Sequence, residues 1–79
     1  MNIMKLKIAT PEYVAYLYIP EGEGTPGEVR MDIDGDDAQI ITRASNDNSA
    51  EHYGFKAAKA VRERVEKRIF PLQFTNAWG

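Results

Sequence analysis

Residues 49–70 read SAEHYGFKAAKAVRERVEKRIF, and this stretch decides the fold. Tyr53, Ala57, Ala60, Val61, Val65 and Ile69 recur at spacings of three and four, which puts them on one stripe of a helix. Lys56, Lys59, Arg62, Glu63, Glu66 and Lys67 fall mostly on the other side. Arg62 with Glu66, and Glu63 with Lys67, stand four apart and can support each other by roughly 0.2–0.5 kcal/mol per pair. Asn48, followed three residues later by Glu51, makes a variant of the capping box, and Asp47, Ser49 and Glu51 add acceptors where the helix dipole favours them. Pro71 ends the helix by disfavouring helical geometry at Phe70. Gly54 weakens the first turn by about 1 kcal/mol relative to alanine. The small residues Ala57, Ala58 and Ala60 let such a helix lie close against a sheet.

Everything before this helix reads as short strands. In 3–8, Met4, Leu6 and Ile8 alternate with Lys5 and Lys7, which marks a half-buried strand. Thr10-Pro11-Glu12 interrupts it as a turn. Residues 13–19, YVAYLYI, are uncharged, aromatic and β-branched, the most strand-like run in the chain. Both faces of that strand are apolar: Tyr13, Ala15, Leu17 and Ile19 on one, Val14, Tyr16 and Tyr18 on the other. One helix covers one face of a sheet only. The tyrosine face is therefore expected to stay at least partly open, which the polar ring tips tolerate. Residues 28–34 alternate strictly, with Val29, Met31 and Ile33 against Glu28, Arg30 and Asp32. Asp34-Gly35-Asp36-Asp37 is a hairpin turn, and 38–44 returns as a strand of ambiguous facing. After Pro71, residues 72–75 alternate briefly and suit a short edge strand; Trp78 suits either the core or a partner contact. The expected fold is α+β: a four-stranded antiparallel meander covered on one face by a single long helix, with a fifth strand near 72–75.

Seventy-nine residues make one domain with a limited core. The chain has no cysteine, hence no disulfide and no thiol chemistry. It has no apolar run near the ~20 residues that cross a bilayer. The first eight residues are too short and too charged for a secretory signal. The expectation is a cytoplasmic protein without membrane contact. The net charge of −2 hides a division. From Glu12 to Glu51 there are ten acids and two bases; from His52 onward there are six bases and two acids. A chain so divided can offer an acidic side to a basic partner, or a basic helix to an anion.

Several chemistries are excluded by detail. Gly22, Gly24 and Gly27 match the spacing of a dinucleotide-binding loop, but that motif needs a helix to begin at once. Here a strand follows, Pro26 removes an amide, and Glu21 and Glu23 repel phosphate. A calcium-binding loop counted from Asp32 has glycine at its fourth position and Arg43 at its twelfth, so that pattern fails. A single histidine, His52, rules out a closed zinc site. Ser45 and Ser49 near it suit capping better than nucleophilic attack. No cofactor, metal or catalytic residue is expected, and direct nucleic-acid binding is disfavoured because acids and bases alternate on the helix and the hairpin is acidic.

The leading expectation is a non-enzymatic domain that binds a protein with a basic surface. Its site would combine the open tyrosines Tyr16 and Tyr18 with the acids Glu21, Glu23, Asp34, Asp36 and Asp37. In size and charge class the chain resembles small phage and mobile-element inhibitors, anti-CRISPR proteins among them, which implies an inhibitor of a nucleic-acid-binding complex. The resemblance is one of class, and no motif carries it. Two alternatives remain: a small nucleic-acid-binding or regulatory protein using the basic helix, and a homodimer whose tyrosine faces meet.

Overall fold

A computed structural model describes residues 1–48 and 50–78. Five strands form one antiparallel sheet: β1 (Asn2–Ala9), β2 (Tyr13–Pro20), β3 (Gly27–Asp32), β4 (Gln39–Thr42) and β5 (Gln73–Asn76). Their order is β4-β3-β2-β1-β5. The first four make the expected meander, and β5 returns to the outer side of β1, with Asn2 opposite Asn76. A single helix, α1 (Tyr53–Lys67), covers one face and lies mainly over β3.

The core fills the space between α1 and that face. Met4, Val14, Tyr16, Tyr18, Val29 and Met31 rise from the sheet to meet Tyr53, Ala57, Val61 and Val65. The choice of face on β2 is the reverse of the expected one. Tyr16 and Tyr18 are 0 % exposed and lie under the helix, so no open tyrosine face exists. The reason is volume and hydrogen bonding together. Gly54, Ala57 and Gly27 leave room that only large rings fill: a Cβ on Gly27 would strike the Tyr18 ring, and one on Gly54 would lie 3.0 Å from the Tyr18 hydroxyl. Both hydroxyls find partners in the segments that flank the helix. Tyr18 donates to Asp47 Oδ2 (2.7 Å) and accepts from the Ala44 N–H (3.1 Å), and Tyr16 donates to the Pro71 carbonyl (2.7 Å). A buried tyrosine with a satisfied hydroxyl is as good a core residue as an aliphatic one.

The uncovered face therefore carries Tyr13, Ala15, Leu17 and Ile19 on β2. Long charged side chains from the flanking strands shield it. Lys7 on β1 reaches over β2 to Glu28 on β3 (2.6 Å), beside Leu17, which pairs with Glu28. The Arg30 guanidinium lies 3.7 Å from the centre of the Tyr13 ring.

Element ends also depart from expectation. α1 begins at Tyr53, because His52 adopts a left-handed conformation (φ 55°). Asn48 does cap, but it caps a separate turn: its side chain accepts from the Glu51 N–H (3.0 Å). The expected contribution of Ser49 lies outside the described residues. At the other end Arg68 is left-handed (φ 57°), its N–H reaching Val65 O and that of Ile69 reaching Arg64 O, which closes the last turn. Ile69, expected on the buried stripe, is thereby turned out to 60 % exposure. A bulge between Leu6 and Ile8 turns Ile8 away from the face that Met4 and Leu6 share. On β4, Ile40 faces the helix side and Ile41, at a second register shift, is 51 % exposed. Trp78 is half-buried, edge-on to Tyr53 at 5.7 Å, with the Lys56 ammonium 4.1 Å above its ring.

Candidate functional site

The acids singled out as one surface separate into two groups. β3 connects the 21–26 turn at one end of the sheet to the 33–38 loop at the other, and its six residues span roughly 20 Å at ~3.3 Å per residue. Glu21 and Glu23 belong to the first end; Asp34, Asp36 and Asp37 belong to the second. Tyr16 and Tyr18 reach neither, being enclosed between them.

At the first end Glu21 is structurally occupied. Its Oε2 accepts from the Met1 ammonium (2.7 Å) and from the Tyr53 hydroxyl (2.8 Å). The ammonium, and then the hydroxyl, hold the Glu21 carboxyl below the usual carboxylate range. The same bond to Glu21 pushes the Tyr53 phenol up to about 12. Glu23 stands exposed on the turn, where its carbonyl accepts from the Asn46 side chain. This corner ties the 21–26 turn to the entry of α1, and Glu21 is better explained by that bracing than by partner contact.

The second end is acidic and exposed. Asp34, Asp36 and Asp37 are exposed, and so is Asp32 at the close of β3. The Ile33 N–H donates to the Glu12 carbonyl (2.9 Å), which holds the 10–12 turn beside this loop; Asp32 and Glu12 thus join the three aspartates expected at this site. Gly35 N–H to Asp32 O (3.1 Å) closes a turn within the loop. Its counter-charges come from α1 and the residue that caps it: Arg62 contacts Asp37 at 3.3 Å and Arg68 approaches Asp34 at 3.9 Å, both at the surface. Exposed pairs of this kind contribute well under ~1 kcal/mol each and leave the acids available. Among the described residues no three histidine, cysteine or acidic side chains converge as a metal would need. No described helix is long and apolar enough to cross a membrane.

A second surface feature had no prior assignment. Phe55, on the first turns of α1, is 77 % exposed. It stands over a groove between the helix and β4 whose other walls are Ala38, Ile40 and Ala58 and whose rim is Lys59 and Arg62. The spacing of Phe55, Ala58, Lys59 and Arg62 puts them on one flank of a helix, so this alignment could be read from the sequence. What could not be read is which flank meets the edge strand.

No family model matches the chain, and no curated protein and no solved structure matches it.

Proposed function

We propose that this chain is a non-enzymatic protein-binding domain that docks by its acidic end on the basic surface of a partner protein. What supports this reading is the convergence of five exposed carboxylates, Glu12, Asp32, Asp34, Asp36 and Asp37, on neighbouring loops of a small braced scaffold. Such a surface speeds encounter with a cationic groove and competes there with phosphate. The partner would be a protein that holds nucleic acid, and the chain its inhibitor, in the cytoplasm. In size and charge class this matches small phage and mobile-element inhibitors of the anti-CRISPR kind. Tyr16 and Tyr18 play no part in the contact; they support the scaffold beneath it. A homodimer through tyrosine faces is set aside for the same reason.

Affinity capture from the native host at two salt concentrations tests this. The native chain should retain a basic partner in a salt-sensitive manner. The triple change Asp34→Asn, Asp36→Asn and Asp37→Asn should release it, while Glu23→Gln, at the other end, should not. Retention of the same partner by the triple variant with unchanged salt dependence would overturn the reading.

A further inference from the structure

We propose that the groove between α1 and β4 is a second docking site, made for an acidic, amphipathic peptide segment of a partner protein. Phe55 is the largest apolar side chain on the exposed part of the helix, and it lines the groove together with the apolar side chains of Ala38, Ile40 and Ala58. An aromatic so exposed beside an apolar recess is an anchor point for a partner's side chain. Cations outnumber carboxylates around it. Lys59 and Arg62 stand on the helix rim, and Arg43 lies beyond Phe55 toward the start of α1. Of the two carboxylates there, Asp37 faces Arg62 and Asp47 accepts from the Tyr18 hydroxyl, which leaves Lys59 and Arg43 to meet a ligand. An apolar floor under a cationic rim is complementary to a segment carrying one or two apolar residues flanked by carboxylates.

Other occupants fit less well. Strand addition to β4 is disfavoured, because β4 has four residues and a register shift, and short bulged edges are poor templates for a new strand. A phosphate backbone, charged at every unit, would have to run beside the aspartates of the 33–38 loop, whereas a short segment can keep its few carboxylates on the Lys59 and Arg43 side.

The test uses a short fluorescein-labelled peptide of aspartates punctuated by leucine and phenylalanine, and the same peptide with lysine for aspartate. Anisotropy titration should show salt-sensitive binding of the acidic peptide and none of the basic one. Phe55→Ala and Lys59→Glu should each weaken binding about tenfold or more. Lys5→Glu, the same charge change on the opposite face of the sheet, should leave it within about twofold. Phe55 and Lys59 are exposed, so these variants should keep the native circular dichroism and melting temperature. The proposal is overturned if both peptides bind alike, if Phe55→Ala binds as the native chain does, or if Lys5→Glu weakens binding as much as Lys59→Glu. It is equally overturned if labelled duplex DNA binds and is lost in Phe55→Ala. Concentration-dependent sedimentation abolished by Phe55→Ala would assign the groove to a second copy instead.

Discussion

At the scale of single residues, Tyr18 is the best-placed side chain in the molecule. It lies between Gly27 and Gly54, donates to Asp47 and accepts from Ala44, so it fastens the loop before the helix to the middle of the sheet. Removing its hydroxyl in Tyr18→Phe leaves the buried Ala44 N–H without a partner, and chemical denaturation should show a loss of roughly 1–3 kcal/mol. Gly27→Ala should be destabilising by a similar amount through overpacking, roughly 1–3 kcal/mol, because the added carbon would sit 2.6 Å from the Ala44 nitrogen as well as against the ring. The tyrosines also set an alkaline limit. Burial first, and then the hydrogen bond to Asp47, push Tyr18 up to about 12 from 10.0. Burial likewise raises Tyr16, and Glu21 raises Tyr53 to about 12. A phenol whose folded pKa is raised holds its proton more tightly when folded. The stability this supplies is complete below pH 10 and falls away as pH climbs from there toward 12. Urea midpoints measured across that window should drop, and in Tyr18→Phe the drop should be shallower. The sequence showed these rings to be on a strand but not which way they point. Gly54 was legible only as a weak place in a helix, whereas its small size is what admits the Tyr18 hydroxyl.

At the scale of elements, both ends of α1 are set by non-glycine residues in left-handed geometry, His52 and Arg68. That conformation strains an L-residue by ~1–2 kcal/mol, partly offset when glycine is the alternative because glycine loses more freedom on folding. Arg68→Gly should therefore raise the melting temperature modestly, by the equivalent of about 0.5–1 kcal/mol, since its contact with Asp34 is long and exposed. A lowered melting temperature would mean that the Arg68 side chain contributes more than its geometry indicates. Periodicity located the helix well because its buried stripe of Tyr53, Ala57, Val61 and Val65 is regular. It overran at Ile69 because the stop is made by a backbone conformation one residue beyond Lys67, with Pro71 further on. The strands were legible from alternation for the same reason. Facing was not, because both faces of β2 are apolar and because bulges between Leu6 and Ile8 and at Ile41 shift the register that alternation assumes.

At the scale of the whole molecule, the division of charge along the chain becomes a division in space, though not the one the sequence implied. Acids contiguous in sequence between Glu21 and Asp37 are parted by the length of β3, while Glu12, distant in sequence, joins the lower group. Hairpin connectivity does this: consecutive turns of a meander alternate between the two ends of a sheet. The sheet should also be unevenly protected. Amide hydrogen exchange should be slowest in β2, which is paired on both sides under the helix, and fastest in β4, a short edge. Equal protection of the two would show that something covers β4 in solution. A last point follows from β5 lying against β1, with Asn76 opposite Asn2. Each of the other strand pairs can form as soon as its own turn has been made. This one waits until β2, β3, β4 and α1 have all been made. Until then one side of the first strand lies bare and the Tyr16 hydroxyl lacks the carbonyl of Pro71. While the chain is being made, the nascent protein is thus open to sticking to its neighbours along β1, and β5 acts as the latch that ends that exposure.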